Sequence, residues 1–366
     1  MKKVLSIFGT RPEAIKMAPV VKAIEASKDL ESVVCVTAQH RSMLDQVLEV
    51  FHITPDYDLN IMQKNQTLSH ITGAVINGIE EIIIKEKPDV VLVHGDTTTG
   101  MAASLAAFYQ QVKIGHVEAG LRTYDKYSPY PEEINRQIID RVSDFLFAPT
   151  EVSAQNIRES HLNKGQQIVV TGNTAIDALK STVSDKYQHQ ELDWVRGSRL
   201  ILVTAHRREN LGQPMERIFS AIRQIADEFA DVKIIYPVHL NPKVRETAKR
   251  ILGDHERIHL VEPLDVLDFH NFIHESYFIM SDSGGVQEEA PSLGKPVLVL
   301  RDTTERPEGV AAGTLKLIGT ETADIYAAAK ELLIDQDVYS SMAKAKNPYG
   351  DGHASERIIK HLIENV

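Results

Sequence analysis

Short segments that are almost entirely apolar recur along this chain, and each is followed by a polar turn and then by a helical pattern. Val4 to Phe8 leads into a glycine turn and a helical spacing, and Val90 to Val93 leads into a helix from Thr97 to Gln110. Strands that are buried on both faces are apolar throughout, as in a parallel sheet covered by helices. The pattern therefore predicts an α/β protein with doubly wound parallel sheets.

The chain is long enough for two such domains. It has 366 residues, and a second series of strands begins at Leu200 to Thr204. We predict two Rossmann-like domains with a ligand cleft between them. The first covers residues 1–171 and is joined by a C-terminal helix over 353–366, and the second covers residues 172–352. The polar interval Ser184 to Ser198 has weak periodicity and the character of a domain junction.

Composition limits the partners and the compartment. A formal net charge of −11 argues against nucleic acid as the main partner, because binding a phosphate backbone needs a dense basic face. The single cysteine, Cys35, allows no intramolecular disulfide, which fits a reducing compartment. The apolar run before Gly9 is too short for a signal peptide or a membrane span. We therefore expect a cytoplasmic protein with no membrane partner.

The segment from Ser281 to Glu308 has the order strand, turn, helix, strand and carries the candidate ligand site of the second domain. The glycines at 284–285 let the backbone approach a ligand, and amides at a helix start suit a phosphate. One of the glutamates at 288–289 is expected to meet neutral ribose hydroxyls, because a carboxylate repels phosphate. Arg306 suits an anion. The alternative interpretation is a tight turn with two glutamates that stabilise the helix dipole.

Carboxylates stand just past two strand ends of the first domain. Asp96 and Glu118 each follow an apolar strand, at the edge where parallel sheets bind ligands. Carboxylates in that position suit proton transfer. His94 and His116, two residues before each carboxylate, could instead ligate a cation. Because buried histidines at strand ends are often hydrogen-bonded core residues, we expect no metal.

Six motifs together resemble those of the non-hydrolysing UDP-N-acetylglucosamine 2-epimerases, in the same order and over essentially the whole chain. They are Phe8-Gly9-Thr10-Arg11-Pro12-Glu13, His94-Gly95-Asp96-Thr97, His116-Val117-Glu118-Ala119-Gly120-Leu121-Arg122, Pro131-Glu132-Glu133-x-Asn135-Arg136, Thr204-x-His206-Arg207-x-Glu209-Asn210, and Ser281-Asp282-Ser283-Gly284-Gly285 through Glu289. The resemblance implies a GT-B-like fold and the reversible conversion of UDP-GlcNAc to UDP-ManNAc. In this family UDP is eliminated to leave a bound 2-acetamidoglucal, and it returns after a proton reaches the other face of C2.

The resemblance also implies roles for particular residues. The acid/base candidates are three carboxylates, Asp96, Glu118 and Glu132. Arg136 would support them in the active site. Cations would neutralise the departing diphosphate, namely His206, Arg11 and Arg306, with Lys16 nearby. The phosphate would meet the hydroxyl and amides of Ser283, Gly284 and Gly285, the ribose would meet Glu289, and the uracil would lie near Phe269.

Further expectations concern regulation and assembly. Bacterial members of this family often bind a second UDP-GlcNAc that activates the enzyme, and the matching positions here are Gln39, Gln66, Glu132, Arg207 and His239. Ser42 and Asn65 depart from that pattern, since longer polar side chains are expected there. The resemblance implies a homodimer, no cofactor, and a product that supplies ManNAc units for cell-surface polysaccharide.

Three other interpretations use the same residues. A hydrolysing relative would release free ManNAc and UDP. A GT-B glycosyltransferase would need an acceptor and would exchange no hydrogen at C2. A non-catalytic UDP-sugar sensor would keep its function without Asp96 or Glu118, and the concentration of carboxylates at strand ends makes it the weakest alternative.

Overall fold

The computed structural model describes residues 1–38, 41–63, 66–160 and 165–366, and it divides into two compact units. The first unit comprises Met1–Ser181 and Tyr349–Val366, and the second comprises Thr182–Pro348. Each unit has its own parallel sheet flanked by helices. The predicted α/β class with two doubly wound, Rossmann-like domains is confirmed.

Among the described residues, the sheet of the first unit has seven parallel strands in the order β3-β2-β1-β4-β5-β6-β7. They are β1 (Lys2–Phe8), β2 (Leu30–Val36), β3 (Tyr57–Asp58), β4 (Val90–His94), β5 (Lys113–Val117), β6 (Phe145–Ala148) and β7 (Gln167–Val170). The chain builds outward from β1 to β3 and then returns to place β4 on the other side of β1. This reversal creates a crevice at the carboxyl ends of β1 and β4, the usual ligand site of such sheets.

The helices of the first unit cover the sheet. They are α1 (Arg11–Glu25), α2 (Arg41–Val50), α3 (Leu68–Glu86), α4 (Thr98–Tyr109), α5 (Glu132–Val142), α6 (Glu151–Glu159), α7 (Thr174–Thr182) and, near the end of the chain, α16 (Ala354–Asn365). All five residues of β4 are buried, as the unbroken apolar run predicts. The core combines strand residues such as Leu5 and Val91 with helix residues such as Val75 and Ala103.

In the described residues of the second unit, six parallel strands have the order β10-β9-β8-β11-β12-β13. They are β8 (Arg199–Thr204), β9 (Val232–Pro237), β10 (Ile258–Val261), β11 (Phe278–Ser281), β12 (Val297–Val299) and β13 (Leu315–Leu317). The helices are α8 (Gln190–Val195), α9 (Gln213–Glu228), α10 (Pro242–Leu252), α11 (Val266–Glu275), α12 (Gly284–Glu289), α13 (Pro307–Ala312), α14 (Thr322–Ile334) and α15 (Gln336–Ala343). The chain again reverses, so that β11 pairs with β8, and the second crevice lies at the ends of these two strands.

The boundaries of the units differ from the predicted ones. The first boundary lies after Ser181 rather than after residue 171, and the chain returns at Tyr349 rather than at 353. The reason is that α7 belongs to the first unit. The carboxylate of Asp177 on α7 accepts hydrogen bonds from the first two amides of α16, at 3.2 Å from Ala354 and 2.7 Å from Ser355. These bonds satisfy donors at the helix start that have no partner within the helix.

No helix in the described ranges is both long and apolar enough to cross a membrane.

The hydrogen bonds that the first amides of α16 donate to Asp177 can be tested for their contribution to the stability of the first unit. We expect Asp177→Ala to lower the free energy of unfolding by about 1–3 kcal/mol, because two buried amides lose their acceptor. Urea unfolding measures the loss, and hydrogen exchange should show faster exchange within 354–365. The control is Asp193→Ala, which removes an exposed pair with Arg196 and should change stability by less than about 0.5 kcal/mol. Equal effects of the two variants would contradict the assigned role of Asp177.

Candidate active site

The turns after β1 and β4 are joined by one buried carboxylate. Glu13, 2% exposed, accepts hydrogen bonds from the amides of Gly9 at 3.0 Å and Thr10 at 2.8 Å, and from the hydroxyl of Thr97 at 2.6 Å. Burial raises the pKa of Glu13, while these hydrogen bonds oppose the shift. A Cβ at Gly9 would lie 2.9 Å from the Thr99 hydroxyl, so only glycine fits this turn. The two strand ends therefore hold a fixed relative position.

Glu118, directly after β5, is held in an unusual conformation. Its backbone φ of 68° lies in the left-handed region, which costs a non-glycine residue about 1–3 kcal/mol. Its Oε2 accepts hydrogen bonds from the Lys16 ammonium and, at 3.1 Å, from the Asn173 amide. Nε2 of His94 lies 3.8 Å from the same oxygen. The structure thus brings the predicted Glu118 and Lys16 into direct contact.

Asp96, after β4, is paired with Arg136 of α5. Its Oδ2 accepts two bonds from the guanidinium, from Nε at 3.1 Å and from Nη2 at 2.5 Å. The remaining Nη1 of Arg136 donates to the buried Glu133 at 3.1 Å. Glu133 in turn accepts the amides of Thr123 and Tyr124, so it anchors the loop before α5. Glu133 therefore fixes one side of the guanidinium, while Nε and Nη2 on its other side both donate to Oδ2 of Asp96.

The remaining predicted residues of the first unit lie on two helices. Arg11 is the first residue of α1, and Glu132 is the first residue of α5. Both are partly buried. Within the described residues the Glu132 side chain makes no hydrogen bond or ion pair. Its carboxylate is thus not committed to a structural contact there.

Both ring nitrogens of the buried His116 are hydrogen-bonded. His116 on β5 has Nδ1 2.6 Å from Asp140 Oδ1 and Nε2 2.7 Å from the Gly95 carbonyl, and Arg122 Nη2 lies 2.6 Å from Asp140 Oδ2. A carbonyl only accepts, so Nε2 carries a proton, and a second proton lies between Nδ1 and Asp140. Both nitrogens are therefore occupied by structural contacts, which argues against His116 as a metal ligand. Over the described ranges, no three His, Cys, Asp or Glu side chains are grouped to hold a metal ion.

The second unit places a guanidinium over the start of α12. The Arg306 side chain donates to Glu288 at 2.9 Å, and a Cβ at Gly284 would lie 3.1 Å from Arg306 Cζ. Glycine at this position is what lets the cation approach the turn. Glu289 Oε1 lies 3.7 Å from the equivalent Cβ position at Gly285. The predicted residues Ser283, Gly284, Gly285, Glu289 and Arg306 are thus brought together.

Two nearby residues have structural contacts as well. Glu289 Oε2 lies 3.7 Å from Nε2 of the buried His270, whose Nδ1 is hydrogen-bonded to the Thr182 hydroxyl at 2.7 Å. Phe269 on α11 is partly buried and packs against the hydrophobic cluster of this unit.

His206 follows β8 and contacts the segment after β11. Its ring is stacked on that of His239, with centroids 5.4 Å apart and planes 8° from parallel. Nδ1 of His206 lies 3.3 Å from the buried carboxylate of Asp282. Burial lowers the pKa of His206, whereas the charge of Asp282 opposes the shift. Arg207 Nε donates to the Asp282 carbonyl at 3.2 Å.

The residues predicted for activation fall in several places. Arg207 and His239 lie together around His206 in the second unit. Gln66 belongs to the first unit, where its side-chain oxygen accepts the amide of Gln63 at 3.1 Å. Gln39 and Asn65 lie outside the described residues, as does the side chain of Ser42.

Comparison with known proteins identifies the family. A model of the UDP-N-acetylglucosamine 2-epimerase family matches residues 22–363. The UDP-N-acetylglucosamine 2-epimerase of Bacillus subtilis strain 168 is 61% identical over 361 residues, which cover 99% of this chain and 95% of the relative. The chain belongs to the UDP-N-acetylglucosamine 2-epimerase family.

Solved structures of the family agree with the fold. The structure of S. aureus MnaA with UDP has a TM-score of 0.90 and 59% identity, covering 99% of this chain and 96% of that one. The Neisseria meningitidis UDP-GlcNAc 2-epimerase bound to UDP-GlcNAc has a TM-score of 0.88 and 49% identity, covering 99% and 100%. The predicted membership of the 2-epimerase family and the GT-B-like class are thereby confirmed.

Several residues that support the candidate residues within each unit were not assigned these supporting roles from the sequence. They act through others and are Glu13, His94, His116, Glu133, Asp140, Asn173 and Asp282. Glu13 carries a recognisable signal, because a glutamate three residues after Thr10 at a helix start is a capping box. Glu133 lies only three residues from Arg136. Asp140, Asn173 and Asp282 meet their partners through long-range contacts, which a local pattern does not contain.

His94 is neutral in the folded chain, and this has a measurable consequence. Burial lowers the pKa of His94 to about 3 from an ordinary 6.5, so below pH 6.5 the unfolded chain binds a proton that the folded chain does not. Stability is thus lost on acidification. Between pH 6 and pH 4 we expect the wild type to lose about 1.4 kcal/mol per pH unit more than His94→Gln.

Chemical denaturation at several pH values measures this difference in slope. His70→Gln is the matched control, because His70 is exposed near the start of α3. It should have the slope of the wild type. Parallel curves for the wild type and His94→Gln would contradict a neutral, buried His94.

Proposed function

We propose that the protein interconverts UDP-GlcNAc and UDP-ManNAc without releasing free sugar, by eliminating UDP and adding it back. Family membership supports the 2-epimerase reaction. The single observation that carries the mechanism is the arrangement of Asp96 and Glu118. They follow the neighbouring strands β4 and β5, and each is bonded to a cation from another element.

Epimerisation at C2 requires a proton to leave one face of the carbon and another to arrive on the opposite face. Two separate carboxyl groups can perform these steps, one as base and one as acid. Asp96, Glu118 and Glu132 are the proposed groups. The pair with Arg136 leaves Asp96 Oδ1 without a hydrogen bond from the described residues, so this oxygen is available to a substrate proton.

Elimination also requires stabilisation of the leaving diphosphate. As the C1–O bond breaks, its electron pair passes to the β-phosphate oxygen, and nearby cations stabilise that charge. We propose Arg306, Arg11 and His206 for this role, with Lys16 nearby. Ser283 and the glycines at 284–285 would bind phosphate, Glu289 would bind the ribose hydroxyls, and Phe269 would lie near the uracil.

The proposal extends to regulation and context. A second UDP-GlcNAc would activate the enzyme through Gln39, Gln66, Glu132, Arg207 and His239. Arg207 and His239 support this idea because both are close to His206 in the second unit. We further propose a cytoplasmic homodimer that needs no cofactor and supplies ManNAc units for cell-surface polysaccharide.

Proton NMR of UDP-GlcNAc with the protein in D₂O tests the function. We expect UDP-ManNAc to appear with deuterium at C2, because the proton is exchanged with solvent during the reaction. Free ManNAc would instead indicate a hydrolysing enzyme. An unchanged spectrum with bound substrate would contradict epimerase activity.

The same assay tests the carboxylates. Glu118→Gln and Asp96→Asn should each lower kcat by about 10²- to 10⁴-fold, since each loses a proton-transfer group while keeping its shape. Glu151→Gln is the matched control, because its side chain is 71% exposed on α6. Its kcat should equal that of the wild type. Full activity in either active-site variant would remove that residue from the mechanism.

A further inference from the structure

The segment after β8 is fixed by a carboxylate from the segment after β11. Oδ2 of Asp282 accepts three hydrogen bonds, from the amides of His206 and Arg207, both at 2.8 Å, and from the Asn210 side chain at 3.0 Å. The hydroxyl of Tyr236 donates to the Ala205 carbonyl at 2.5 Å. The backbone on both sides of His206 is therefore held in one position.

The other oxygen of Asp282 has a different environment. Oδ1 is buried, and it accepts no hydrogen bond within the described part of the chain. It lies 3.3 Å from Nδ1 of His206. A buried carboxylate oxygen without a donor is costly, so such an atom calls for an explanation. The two atoms, Oδ1 of Asp282 and Nδ1 of His206, are within ion-pair distance but are not aligned as a hydrogen bond. A rotation of the ring that turns an Nδ1 proton toward Oδ1 would give this oxygen the donor that it lacks.

We propose that Asp282 is a positioning residue for His206. It holds the imidazole with Nδ1 toward Oδ1, so that Nε2 faces away from Asp282. The ring gains its second proton when an anion binds on the Nε2 side. Three charged or titratable groups surround the ring. Asp282 favours the protonated ring, and Arg207 and the stacked His239 oppose it. The carboxylate acts against the effect of Arg207 and His239, and an arriving diphosphate would act in the same direction as the carboxylate.

As a consequence, the protonation of His206 would depend on whether a diphosphate is bound. In the empty site, burial lowers the pKa of His206 and so favours the neutral ring. A bound diphosphate brings negative charge to the Nε2 side, and Asp282 is already in place to accept from Nδ1. The cation then opposes the charge that develops on the leaving group. Only this last step depends on the proposed function, because the contact of Asp282 with His206 exists in the chain itself.

The variant Asp282→Asn removes the negative charge at position 282 but keeps the size and shape of the side chain. The amide oxygen can replace Oδ2 and keep the three hydrogen bonds, but the amide NH₂ then faces Nδ1 and donates to it. This arrangement requires a neutral imidazole with its proton on Nε2. We therefore expect the pKa of His206 to fall by about one unit or more in the variant, with UDP present and absent.

Imidazole ¹⁵N NMR of the full chain, titrated with and without UDP, measures the pKa and the protonated nitrogen of His206 directly. Asn210→Ala is the control, because it removes one bond to Oδ2 but retains the charge of Asp282. Its His206 should titrate as in the wild type. The proposal is overturned if His206 is unchanged in Asp282→Asn, or if the pKa falls equally in Asn210→Ala.

The pH profile of the epimerase assay supplies an independent readout. In the wild type, kcat should decline as rising pH removes the proton from His206. In Asp282→Asn this decline should occur at lower pH, by the same amount as the change in the pKa of His206 that NMR records. If the wild-type protein has no epimerase activity, the proposed function is overturned, but the NMR result on His206 still stands. Normal activity with an unmoved pH limb would overturn the role of Asp282 alone.

Discussion

The buried carboxylate of Glu13 is the interaction on which the first unit's site depends. It joins the turn after β1 to the turn after β4, across the point where the chain reverses its direction through the sheet. Lys16 on α1 and Asp96 after β4 both owe their positions to these turns. The carboxyl group of Glu13 is buried, and three hydrogen bonds compensate for its loss of contact with water. Losing any of the three donors would loosen both strand ends together.

Several of the candidate site residues and turns are held in place by buried charged or polar groups that take no part in the proposed reaction. Arg136 is fixed by Glu133, the turn at Gly95 rests on the His116 and Asp140 pair, and the segment before Asn210 rests on Asp282. Each support is a buried ionic group with several partners. Such groups add little net stability, but they specify one arrangement of the groups they contact. A site that handles both a proton and a diphosphate needs that rigidity.

The sequence predicts the strands well where the apolar run is long and poorly where it is short. The apolar runs predict β1, β4 and β8, whereas β3, with two residues, is too short to leave a pattern. The clusters around Glu118 and Arg306 follow from their places at strand ends. The partners of these residues do not, because Asn173 lies 55 residues from Glu118 in the chain. The boundary after Ser181 was also missed, because Asp177 contacts α16 from 177 residues away.

The proposed mechanism requires UDP to leave the sugar and to return to it. UDP-GlcNAc with ¹⁸O in the bridge between C1 and the β-phosphorus tests it most directly. If the bond breaks in each cycle, rotation of the β-phosphate in bound UDP moves the label into non-bridging positions. We therefore expect phosphorus NMR to show scrambled label in recovered UDP-GlcNAc at a rate comparable with epimerisation. Formation of UDP-ManNAc with all of the label still in the bridge would contradict elimination.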